Sequence, residues 1–137
     1  IGASVVPESP HTSGNGVNEI SLPGTAAGST LGGNILGVTY LRYSGIQIVE
    51  ADIVFNSNWP WDSYRGPRSV RPDRWDLRRV ALHELGHLIG LDHPDQANPP
   101  QSVAAIMNSR ISNIDALQSD DVAGGQALYG APGAAPA

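Results

Sequence analysis

Apolar and polar residues alternate in short stretches of the N-terminal half of the chain, and recur at helical spacing only in the C-terminal half. Val17-Asn18-Glu19-Ile20-Ser21-Leu22 alternates and predicts a short strand, ended by Pro23-Gly24. Ile35 to Tyr43 is a run of β-branched, aromatic and aliphatic residues, with Ser44-Gly45 as a turn. Ile46 to Phe55 resumes as a strand, in which Val49, Ala51, Ile53 and Phe55 share one face by period 2. Leu77 to Ile89 predicts a helix, with Asp76 as N-cap and Gly90 closing it in the left-handed conformation. Leu82, Leu85 and Ile89 fall on the side of that helix expected to meet the core. A second, short helix starts near Ser119, with Asp120 and Asp121 in its first turn, and closes at Gly130.

The segments between these elements read as loops. Residues 1–16 are rich in Gly, Pro, Ser and Asn and are expected to be flexible, with Val5 and Val6 too few to anchor a strand. Thr25 to Asn34 is a surface loop, Asn56 to Pro72 a long connection, and 131–137 a disordered low-complexity tail. One domain, 17–130, remains. Sixteen Gly and eleven Pro among 137 residues agree with many turns and few long elements. No apolar run approaches the ~20 residues of a membrane-spanning helix. A net charge of −5 argues against a nucleic-acid partner. Six of the eight arginines lie between Arg65 and Arg79, interleaved with Asp73 and Asp76, and read as a solvated loop with local ion pairs. The chain has no Cys and no Lys, which removes thiolate and Schiff-base chemistry. It begins with Ile1, as a processed or trimmed chain would, with any targeting signal out of view.

The first helix runs into His83-Glu84-Leu85-Gly86-His87-Leu88-Ile89-Gly90-Leu91-Asp92-His93. Residues four apart project from one helix face, so His83 and His87 can both reach one tetrahedral Zn2+ at about 2.0–2.1 Å. A straight helix would carry residue 93 away; the sharp turn that Gly90 permits brings His93 back as a third ligand. Three protein ligands leave a fourth position for water, the mark of a catalytic zinc site. Glu84 leans to the side where its carboxylate can contact that water without ligating the metal. The chemistry expected is attack of a zinc-bound water on an amide, with Glu84 as general base and acid. His-Glu-x-x-His alone arises readily by chance. The added glycine and third histidine make coincidence improbable. His11, the fourth histidine, falls in the flexible start and reads as solvated.

The motif is similar to that of the metzincin zinc peptidases and, within them, the matrixins, the family of the matrix metalloproteinases. Arg79-Val80-Ala81-Leu82-His83-Glu84-Leu85-Gly86-His87 resembles the matrixin active-site helix, and Val103-Ala104-Ala105-Ile106-Met107-Asn108 the segment that holds its Met-turn. Leu117 to Val122 and Ala127 to Gly130 resemble the final helix. Gly32-Gly33-Asn34 with the extended segment after it, and Ala51 to Phe55, are similar to the edge strand and the strand that follows. The resemblance covers 17–130, most strongly from Asp76 onward. It implies an α+β metzincin fold: a small mixed twisted β-sheet, an active-site helix under a cleft, and a C-terminal helix.

The resemblance also implies roles. Met107 would lie beneath the zinc ligands, with Asp120 or Asp121 buttressing its turn. Ile35, Leu36, Gly37 and Val38 would bind the substrate backbone as an added antiparallel strand. Arg79 matches the base of the main specificity pocket. Asn108-Ser109-Arg110 stands where the family often has Pro-x-Tyr as that pocket's wall, which implies a pocket partly polar or shortened. Gly37 and Val54 occupy positions where many animal matrixins carry histidines for a second, structural zinc, so one catalytic Zn2+ is expected. Asn56 replaces an acidic position linked to calcium, which leaves a calcium requirement open. Nothing from Ile1 to Asn34 has the period of the family's long backing helix, so the N-terminal strand and helix are expected to be missing or reduced. The reading is a secreted, extracellular zinc endopeptidase of bacterial style, acting on a peptide or protein substrate, with no nucleic acid or membrane partner and its oligomeric state open. The alternatives are a non-catalytic, zinc-stabilised peptide-binding or adhesion module, and a hydrolase of cell-wall peptide cross-links.

Overall fold

A computed structural model of the chain describes residues 3–5, 14–23 and 30–133. Strands β3 (Gly37–Ser44) and β4 (Gln47–Phe55) pair antiparallel. On the other side of β4 runs β2 (Asn18–Ser21), parallel to it, and then β1 (Ala3–Val5), parallel to β2. The order β1-β2-β4-β3 makes the expected small mixed sheet and leaves β3 at an edge. Strand β1 includes Val5 and corrects the expectation that no strand is anchored there. Ala3 to Val5 takes its ladder from Asn18 to Ile20, a partner that no local pattern announces. His11, most of the remaining N-terminal segment and 134–137 lie outside the described residues. Among the described residues no α-helix precedes β3.

The predicted apolar face of β4 holds only in part. Ala51, Ile53 and Phe55 are buried, whereas Val49 is 45% exposed. The register shifts between Arg42 and Tyr43, where Arg42 pairs with Glu50 and Tyr43 with Ile48. Val49 is thus the extra residue of a β-bulge, and Ile48 takes its place on the helix side. A side chain built at Gly90, at the helix end, would meet Ile48 Cδ1 at 3.6 Å.

Helix α1 (Leu77–Leu88) lies across this face. Leu77, Val80, Ala81 and Leu88 pack with Ile53 and Phe55. Asp76 caps the helix as expected, its Oδ1 accepting from Arg78 N at 3.2 Å. A second stripe turns toward the 103–114 segment, where Leu82 packs against Ala105, Ile106 and Met107. Leu85 and Ile89 belong to neither stripe and are 42% and 37% exposed, so the expected core side is corrected for both. The sheet and the C-terminal segment occupy the other two sides of the helix. Helix α2 (Ser119–Tyr129) lies against the end of α1, with Gly124 facing Leu91 and Gly125 facing Ile89.

The connection after β4 is tied down rather than loose. β5 (Trp61–Asp62) pairs parallel with β6 (Trp75–Asp76). The expected local ion pairs hold only in part: Arg71 meets Asp62 at 3.4 Å and Arg68 lies over the Trp75 ring at 3.9 Å, whereas Arg65 reaches the distant Asp115 at 2.8 Å and Arg79 is buried. Asp115 Oδ2 also accepts from Gly66 N at 2.7 Å. The Arg65 hydrogen bond and then the Gly66 N–H pull the Asp115 carboxyl from an ordinary 3.8 down to about 2. Asn56, fully buried, donates from Nδ2 to the carbonyls of Gly32 (3.0 Å) and Ile35 (2.7 Å) and accepts from Asn58 N at 3.0 Å. An acid at this position could not make the two donations.

Two outcomes follow from these contacts. Asn56→Ala is expected to lose roughly 1–3 kcal/mol in urea unfolding, and Asn56→Asp not to recover it without a cation. The depressed native value of Asp115 makes its contribution full above the ordinary value and lost as pH falls toward about 2. Tm measured through that window should therefore fall more steeply in the wild type than in Asp115→Asn.

Candidate active site

The end of α1 builds the site. Gly90 sits at φ +100°, its N–H donating to His87 O at 2.9 Å, and Leu91 N donates to Gly86 O at 3.0 Å. These two bonds are those of a Schellman turn, which a side chain at position 90 would strain. Tyr129 OH caps the open carbonyl of Ile89 at 2.6 Å. The turn presents Leu91 O to His87 Nδ1 at 2.7 Å, and carries the chain to His93 just before a 3-10 turn over Pro94–Gln96.

The three imidazoles converge. Their Nε2 atoms form a triangle with sides of 3.0, 3.1 and 3.1 Å. Each Nδ1 faces an oxygen: Ile106 O for His83 (2.8 Å), Leu91 O for His87 (2.7 Å) and Gln96 Oε1 for His93 (2.8 Å). Those oxygens place a proton on Nδ1, so in the neutral rings the three Nε2 lone pairs point at one another. That arrangement is repulsive without a cation between them. A tetrahedral Zn2+ needs ligand nitrogens about 3.3 Å apart, so the donor set fits within a few tenths of an ångström. Burial pushes His83 down to about 4 and lowers His87 as well, which keeps both in the neutral form that ligates.

A cleft of about 710 Å³ opens between α1 and the edge strand β3. Ile35, Leu36, Gly37 and Val38 line it, with His83, Glu84, His87 and His93 on the facing side. Glu84 is only 4% exposed, and burial raises its carboxyl above the ordinary value against a hydrogen bond from Thr39. Ser109 and Arg110 reach the cleft, whereas Asn108 turns away and donates to Val103 O at 2.9 Å. Arg79 does not line it. This side chain is 1% exposed and spans Ser112 O (2.8 Å), Gly66 O (2.5 Å) and the Asp76 carboxylate (3.5 Å). Sequence reasoning passed over Thr39, Trp59, Trp75 and Ile111, all of which line the cleft. Thr39 was within reach, because period 2 puts it on the same face as Gly37. The Trp59–Trp75 edge-on pair, centroids 5.8 Å apart, joins residues whose meeting no spacing reveals.

Met107 is buried and packs against α1 at Gly86. A Cβ at Gly86 would stand 2.1 Å from Met107 Sδ, so only glycine in α1 allows this approach. Asp121 holds the turn from below, accepting from Ile106 N (2.9 Å), Met107 N (3.1 Å) and Gln118 N (2.7 Å). Asp120 lies at a small hollow beside Pro94 and Gly124 and makes none of these bonds. Asp121→Ala strands three backbone donors and should cost roughly 3 kcal/mol or more. Asp120→Ala should cost less than about 1 kcal/mol, the size of a first-turn charge effect. Urea unfolding and zinc titration of the two variants check this contrast.

A model of the matrixin family matches residues 32–130. Macrophage metalloelastase of Oryctolagus cuniculus is 38% identical over 89 residues, covering 61% of this chain and 16% of that protein. Matrix metalloproteinase-16 of Homo sapiens is 34% identical over 105 residues, covering 76% of this chain and 16% of that protein. Metalloendoproteinase 1-MMP of Arabidopsis thaliana is 44% identical over 55 residues, 40% of this chain and 14% of that protein. The chain thus spans about 16% of the length of the first of these relatives. The matched residues take in the edge strand, the histidine triad, the turn at Met107 and α2, and with well over half its length accounted for, the chain belongs to the matrixin family.

Proposed function

We propose that the domain is a secreted zinc-dependent endopeptidase in which His83, His87 and His93 hold one Zn2+ and Glu84 is the general base and acid. The observation that carries this reading is the Nε2 triangle, with buried Glu84 lining the same cleft as an open edge strand. When bound, zinc supplies Lewis acidity that polarises a peptide carbonyl and acidifies water. The chain does the rest. β3 takes the substrate backbone as an added antiparallel strand, with Ile35 to Val38 along the cleft. Antiparallel addition sends the residues after the scissile bond toward Ile35, Trp59 and Trp75. Glu84 accepts a proton from the attacking water and returns it to the departing amine. A carboxyl raised by burial suits this shuttle. Leu36, Trp59, Trp75, Val80 and Ile111 form an apolar side of the cleft, with Ser109 and Arg110 its polar wall.

The extracellular location rests on family membership. Among the described residues no helix is long and apolar enough to cross a membrane. The binding-module alternative gives no reason for a carboxylate buried beside three convergent imidazoles, and is not favoured.

The test is cleavage of a broad peptide library by zinc-loaded protein, beside Glu84→Ala at equal zinc content. Cleavage is expected to drop at least about a hundredfold in the variant, the usual weight of a general base. Stripping the metal with a chelator should abolish cleavage and added zinc restore it. Equal cleavage by the variant would sink the role given to Glu84. Zinc bound one to one without any cleavage would favour the binding module.

A further inference from the structure

We propose that Thr39 is a positioning residue for Glu84, holding its carboxylate against the edge strand that receives the substrate. The inference rests on the peptidase reading above. Thr39 stands on β3 opposite Ile53, with its Oγ1 2.7 Å from Glu84 Oε2 and 3.0 Å from Glu84 O. A hydroxyl has one proton to donate. The carbonyl already accepts within the ladder of α1, and the carboxylate is the nearer and charged acceptor, so the proton goes to Oε2. Little bulk water competes for that oxygen, because Glu84 is nearly closed off.

Gly37 completes the cradle by what it lacks. A Cβ there would stand 3.0 Å from Glu84 Oε1 and 3.3 Å from its Cγ and Cδ. The carboxylate therefore rests against bare backbone at residue 37 and is hydrogen-bonded at residue 39, two positions on one face of β3. A glutamate has three rotatable side-chain bonds, and without such a partner it spreads over several rotamers. With Oε2 held, the exchanging proton falls to Oε1. The strand that orders the substrate backbone also orders the base, so both are placed by one element.

The experiment compares Thr39→Val, which keeps the shape and loses the hydroxyl, with Thr39→Ser, which keeps the hydroxyl. Steady-state cleavage, zinc stoichiometry and Tm are measured for each. Thr39→Val is expected to lower kcat roughly ten- to a hundredfold, the scale of a misplaced catalytic group. KM should stay within about twofold and zinc at one per chain. Thr39→Ser should recover most of kcat. In a Glu84→Ala background Thr39→Val should slow the residual rate no further, because the two residues act as one unit. Thr39→Ala replaces the valine variant if that one fails to fold. Undiminished kcat in Thr39→Val, a loss confined to KM, or serine as impaired as valine would each overturn the proposal and leave the peptidase reading standing. A zinc-loaded wild type that cleaves nothing overturns both.

Discussion

Three imidazoles point their Nε2 atoms into one small volume, and each is kept there by a hydrogen bond on its far nitrogen. The acceptors come from three places: Ile106 O beside Met107, Leu91 O in the turn that ends α1, and Gln96 Oε1 in the following 3-10 turn. Ring orientation is therefore not a property of the helix that carries His83 and His87. It is set by the chain that folds back around it. A cation held between the rings would offset the electrostatic cost of the convergence.

The foundation of this arrangement is a polar contact under an apolar one. Asp121 gathers three backbone donors and so ties the start of α2 to the turn at Met107. Met107 in turn presses on α1 at the one residue without a side chain, Gly86. Ile106, whose N–H Asp121 holds, supplies the carbonyl that faces His83 Nδ1. The distance between helix and C-terminal segment is thus fixed by glycine on one side and by a carboxylate on the other.

The opposite wall of the cleft depends on the β4–Asn56 corner. The Asn56 amide and Trp59 Nε1 both donate to Ile35 O, which sets the approach of the chain to β3. Beyond that corner the strand keeps a side open for another strand to join. The far side of α1 is less well covered: Leu85, Ile89 and Leu128 stay exposed there. Burial follows what packs on the helix, and only two of its sides are packed.

Much of this could be read from residue order. Four-residue spacing aims two histidines the same way on any helix, and a glycine after them permits the left-handed turn; both are local facts. Alternation marked β2, β3 and most of β4 for the same reason, since a strand's two faces are a property of its own backbone. Local order does not say what stands opposite. Asp120 and Asp121 are equivalent first-turn acids until the Met107 turn folds onto one of them. Arg79 lies one turn before His83, yet Gly66 O and Ser112 O draw it out of the cleft. β1 exists through pairing, Val49 leaves its face because β3 is one residue shorter at that point, and Thr39 meets Glu84 across 45 residues. A side chain's direction comes from its neighbours in sequence, and its partner from chain brought alongside by folding.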